Sequence, residues 1–104
     1  MRTAEVFVHG QLAGHLEEVE PRRSYRFVYR SGYVGPPVSL TMPTTSSEYT
    51  FAEFPPFFDG VLPEGVMLEG LLRQNKIDKL DYFSQLVAVG GDLIGAVTVK
   101  GVTE

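Results

Sequence analysis

The stretch "AEVFVHGQLAGHLEEV", Ala4 to Val19, alternates with a period of two: Ala4, Val6 and Val8 fall on one side, Glu5, Phe7 and His9 on the other. Successive strand side chains point to opposite faces, so this pattern predicts a strand with one buried face. Gly10 and Gln11 stand where a tight connection belongs, and "LAGHLEEV" resumes the apolar signal. Residues 4 to 19 therefore read as a β-hairpin.

Working outward, Pro21 breaks the pattern, and "SYRFVYR" then puts Tyr25, Phe27 and Tyr29 on one face of a third strand. Aromatic and β-branched content suits a half-buried pleated surface. After a loop punctuated by Gly32, Gly35, Pro36 and Pro37, "VSLTMP" alternates Val38, Leu40 and Met42 with Ser39 and Thr41, which predicts a fourth strand stopped by Pro43. The polar "TTSSEYT" that follows reads as a loop. In the basic cluster Arg22, Arg23, Arg26 and Arg30, Arg26 and Arg30 share one strand face and alternate with the aromatics, and the cluster's expected place is a solvated outer surface.

The second half changes period. In "FFDGVLPEGVMLEGLL", Phe57 to Leu72, Pro63 suits a first helical turn and Glu64 the positive end of the helix dipole. Leu68, Leu71 and Leu72 then recur at i, i+3 and i+4 as one buried stripe ending near Asn75. A second helix is expected with Asp78 as N-cap and Leu80, Phe83, Leu86 and Val87 on its apolar face, ended by Gly90 and Gly91. "LIGAVTVK" reads as a strand that rejoins the sheet. The expected fold is α+β, one domain over residues 1–104: a small antiparallel, barrel-like sheet of about five strands, two helices and a returning C-terminal strand.

Composition narrows the function. A chain of 104 residues is large enough for one core without metal or disulfide staples, and it holds no cysteine. Thirteen acidic against nine basic side chains give a net charge of −4, the wrong sign for neutralising phosphates, so no direct nucleic-acid contact is expected. No export signal and no apolar run of about 20 residues is present, and a cytoplasmic protein without membrane contact is expected. His9 and His15 lie near the ends of the predicted hairpin, but two imidazoles fall short of the three protein ligands of a catalytic zinc site. No serine stands in a nucleophile elbow and no Gly-rich phosphate loop follows a strand. Glu17 with Glu18, and Asp78 with Asp81, are explained by solvation and capping. No cofactor, metal or catalytic residue is expected; the residues describe a domain that binds.

Taken together, "VFVHGQLAGHL", "YRFVYRSGYV", "PVSLTMP", "FFDGVLPEGVMLEGLL" and "DYFSQLVAVGGDLIGAVTV" resemble the N-terminal subdomain of HipA-type serine/threonine kinases, the toxins of bacterial toxin–antitoxin modules. The resemblance runs from Val6 to Val99 and is carried by Phe57, Phe58, Asp59, Leu62, Pro63, Glu64 and Gly65, then by Gly91, Asp92, Gly95, Ala96 and Val97. A HipA kinase continues for several times this length, whereas the sequence here ends at Glu104, without the donors and Mg²⁺ ligands that phosphoryl transfer needs. In this it is similar to the small HipS proteins of three-component modules. The resemblance implies an antitoxin that restrains a HipT-like kinase and meets a HipB-like DNA-binding protein through the complex. A subunit completing a split kinase is the alternative it leaves open.

The stretch Phe57–Leu72 has two readings. Its apolar residues are expected to be core, and Leu71→Asp to cost several kcal/mol. The residues between them, Asp59, Gly60, Glu64, Gly65, Val66 and Met67, are the candidate partner-binding set, because the apolar stripe does not demand Val66 or Met67 and an adaptable Met suits a partner's groove.

Overall fold

The computed structural model describes residues 1–93 and 95–102. Of the predicted returning strand, Ile94 lies outside the described residues. The chain runs β1 (Arg2–Val8), β2 (Gln11–Glu20), β3 (Ser24–Tyr29), β4 (Glu48–Phe51), α1 (Pro56–Asp59), α2 (Gly65–Asn75), α3 (Tyr82–Val89), a 3₁₀ turn (Gly90–Asp92) and β5 (Val97–Gly101). All five strands form one antiparallel sheet in the order β4-β3-β2-β1-β5. The α+β class stands. The sheet stays open, with β4 and β5 as edges, and does not close into a barrel.

The hairpin forms with its turn one residue earlier than expected. His9 and Gly10 are the central pair, both at positive φ (50° and 78°), and Gln11 already pairs with Val8. Two left-handed residues give the connection a twist that matches the flanking strands. One face of the sheet carries Ala4, Val6, Val8, Leu16, Tyr25, Phe27, Tyr29 and Val99, all buried. Phe58 of α1, Phe83 and Leu86 of α3, and Val38, Met42 and Phe54 from the connections cover that face. Phe27 lies at its centre, edge-on to Tyr29 at 4.8 Å and tilted against Phe58 at 6.3 Å. The opposite face presents Glu5, His15, Glu17, Arg26 and Lys100. There Arg26 pairs with Glu17 at 2.5 Å and Glu48 at 3.7 Å.

Two sites tolerate no side chain. A Cβ on Gly14 would stand 2.2 Å from the Val28 carbonyl oxygen, and one on Gly90 would stand 2.1 Å from that of Val99. Gly90 ends α3 with right-handed backbone (φ −55°), so close approach to β5, more than a left-handed cap, requires glycine there.

The predicted fourth strand is corrected. "VSLTMP" holds only a Ser39–Met42 bridge around a tight turn, with the Met42 N–H donating to the Ser39 carbonyl at 3.0 Å. Val38 and Met42 are buried, but Leu40, on the same face of the alternating pattern, stands 94% exposed at the turn. The cause is Tyr29, whose buried hydroxyl donates to the Met42 carbonyl and accepts the Val38 N–H at 2.9 Å, gathering the segment into a loop. The fourth strand is instead Glu48–Phe51, which overlaps the end of the stretch expected to be loop. There Tyr49 and Phe51 fall opposite Phe27 and Tyr25 on the inner face.

The helices also depart from expectation. A short α1 precedes the two predicted ones, begun by Pro56 after Pro55. Pro63 lies outside α2, whose N-cap is Glu64. Asp81, not Asp78, caps α3, its carboxylate accepting the Ser84 N–H at 3.2 Å. Asp78 accepts the Leu80 N–H in the preceding turn, and Leu80 is exposed. Most consequential, α2 buries no residue: Leu68, Leu71 and Leu72 are only half-buried and stand outside the core cluster.

Candidate partner-docking surface

The surface is built by two consecutive turns and a helix start. Pro55 and Pro56 set the backbone for α1, and Phe58 anchors it by full burial, with Phe57 edge-on to it at 5.2 Å. Successive turn bonds, from Asp59 N–H to Pro55 O, Gly60 N–H to Pro56 O and Leu62 N–H to Asp59 O, carry the chain to Pro63. Val61 and Leu62 pack against the core. Glu64 is extended (φ −129°) and Gly65 turns left-handed (φ 59°), a conformation glycine adopts without strain. This reversal launches α2 along the surface. Val66 is 83% and Met67 76% exposed.

Between this helix start and the end of α3 lies a groove of about 440 Å³. Val61, Leu62, Pro63 and Met67 wall one side, Val89 and Leu93 the other, and Asp92 also lines it. Of the six candidate residues the fold brings Gly60 and Met67 into the groove, while Asp59, Glu64, Gly65 and Val66 surround it in sequence and are exposed. Sequence reasoning did not assign Val89, Asp92 and Leu93 to this surface. They are distant in the chain, and the available signal was the Gly90-Gly91 break that lets α3 stop beside β5.

Glu18 and Asp81, expected to serve solvation and capping, belong to a polar cluster that does more. Glu18 is 3% exposed, at the end of the apolar face. Arg2 donates to both its oxygens at 2.8 Å, and the Arg22 N–H adds a bond at 3.2 Å. The same guanidinium reaches Asp81 at 2.8 and 3.3 Å and Ser84 Oγ at 2.7 Å, and lies 4.9 Å from the Phe83 ring centre. Hydrogen bonding from Arg2 holds the Glu18 carboxyl below its usual range. Burial pushes Asp81 upward, but bonds from Arg2 and Ser84 outweigh it and leave that carboxyl lowered too. Ser84 Oγ accepts from Arg2 and donates to Asp81 at 2.7 Å, so its hydroxyl is engaged within the cluster. The cluster ties β1, β2 and α3 together. His9 sits in the exposed hairpin turn and His15 opposite Glu5, and among the described residues no group of three or more His, Cys, Asp or Glu side chains is placed to hold a metal. No helix among the described residues is long and apolar enough to cross a membrane.

An open antiparallel sheet with helices on one face, and exposed apolar surface at the start of its longest helix, defines a small α+β domain with a surface-lying helix. The chain belongs to the HipA N-terminal domain family, whose model matches residues 4–100. Over 100 residues it is 31% identical to an uncharacterized protein of Haemophilus influenzae, covering 96% of this chain and 92% of that one. In structure it is similar to an N-terminal domain of HipA toxin, with a TM-score of 0.77 and 28% identity over 100% of this chain and 95% of the other. The family match takes up nearly all of the 104 residues.

Proposed function

We propose that the protein is an antitoxin-type binding module that docks on a HipT-like serine/threonine kinase and blocks it. The observation that carries this reading is the family match across residues 4–100. Likeness in shape to one domain of a HipA toxin supports a role in which the chain takes that domain's place against a related kinase. The exposed start of α2 adds support, since exposed Val and Met beside a shaped groove are the elements of a docking patch. The Haemophilus influenzae relative, 92% covered, is scarcely longer than this domain, so the domain occurs as a small protein. Promoter contact, in this reading, comes through a HipB-like DNA-binding partner, because the net charge of −4 disfavours direct contact.

Co-expression with a HipT-like kinase from the same genome tests the proposal. Growth is expected to recover when the protein is present; a kinase equally toxic with and without it overturns the reading. The similarity to a domain of the toxin itself favours a second reading, in which the protein completes a split kinase. In that case toxicity rises on co-expression.

A further inference from the structure

We infer that the groove between the α2 start and the α3 end takes an apolar side chain carried on a basic segment of a partner protein: a Leu-, Met- or Phe-type anchor flanked by Lys or Arg. This deepens the docking proposal by naming the chemistry of the segment that seats there. The walls supply the apolar half of the argument. Val61, Leu62, Pro63, Met67, Val89 and Leu93 enclose about 440 Å³, room for one large side chain and its neighbours, and Met67 can move to fit it.

Charge supplies the other half. Asp92 lines the groove, and Asp59 and Glu64 are exposed next in the chain to its lining residues Gly60 and Pro63. None of the three takes part in an ion pair among the described residues, nor do Glu5, Glu20, Glu53 and Glu69; what distinguishes the three is their place around one apolar groove. The basic residue of α2, Arg73, lies in its last turn, about 9 Å along the axis from Met67. Carboxylates of one sign beside an apolar wall raise the local concentration of cations and repel acidic or phosphate-bearing partners. The groove thus selects by attraction and by repulsion together.

The test uses the full chain, ¹⁵N-labelled, and a short synthetic amphipathic helix of Leu and Lys, with a Leu and Glu peptide of the same pattern as counterpart. Amide shifts on the cationic peptide are expected at Gly60, Leu62, Met67 and Asp92. Affinity is expected to fall about tenfold between about 50 and about 500 mM salt. The D59K/D92K variant, altered only at exposed positions, is expected to lose the cationic peptide and gain the anionic one, with D59N/D92N intermediate. Absence of groove shifts, shifts elsewhere on the molecule, or equal binding of both peptides, as an indiscriminate apolar pocket gives, would overturn the inference. Kinase co-expression reads the docking proposal separately, so the failure of either is distinguishable from that of the other.

Discussion

Glycine to alanine is the same substitution in the sheet and in α2, and the molecule answers it oppositely. At Gly14, where β2 lies against β3, the new methyl would stand 2.2 Å from a backbone oxygen; at Gly70, midway along α2, nothing lies within 4 Å. The sheet is a packed body in which each side chain has been fixed by its neighbours. The helix rests on that body with its leucines half-covered and its first turn in solvent. One region holds the fold, and the other leaves apolar surface exposed.

The largest effect should come from tightening the tight region. Gly14→Ala and Gly90→Ala are each expected to cost about 3 kcal/mol or more, because backbone must move to admit the methyl. In a domain of this size that lowers Tm by at least about 12 °C, readable by circular dichroism. Arg2→Ala comes next, at roughly 2 kcal/mol, since it strands the buried Glu18 carboxylate while Arg2 itself is partly solvated. The same variant changes the acid limb. Glu18 and Asp81 have folded pKa values below their ordinary ones, so the stability they contribute is present above the ordinary carboxylate range and is lost as pH falls through the lowered values. Wild-type stability measured by urea melts should therefore decline below about pH 4.5, and the Arg2→Ala decline should be shallower. In the loose region the sign reverses: Gly70→Ala should stabilise by about 0.5–1 kcal/mol through helix propensity alone. Smallest in stability is the V66D/M67D double variant, expected to melt within about 0.5 kcal/mol of wild type. Under the proposed docking its effect is expected in binding, at roughly thirtyfold in affinity if the pair acts as a hot spot.

The strands of the hairpin and the third strand were legible because one face is buried and the other wet, which writes a period of two into Ala4, Val6 and Val8 and again into Tyr25, Phe27 and Tyr29. The same rule misled at Val38, Leu40 and Met42. Their alternation is real, but the Tyr29 hydroxyl, nine residues or more away, captures two backbone groups and ejects Leu40. Glu48–Phe51 was missed because four residues carry too little pattern to outweigh the polar run before them. In α2 the spacing of Leu68, Leu71 and Leu72 correctly predicted a helix and wrongly predicted its burial, since periodicity reports an apolar stripe and not what lies against it. Leu71→Asp is accordingly expected to cost only about 1 kcal/mol, well short of a core substitution. Of the candidate surface, the exposure of Val66 and Met67 was readable from their place off the stripe. The groove wall from Val89 and Leu93 was not, because only the fold brings residues so far apart in sequence together.

The most direct measurement is the phosphorylation rate of a HipT-like kinase titrated with this protein. Inhibition by docking obeys mass action, so the rate is expected to fall with the molar ratio for the wild type, while V66D/M67D needs roughly thirtyfold more protein for the same effect. A rate unmoved by excess wild-type protein, or one that rises with it, would contradict the account.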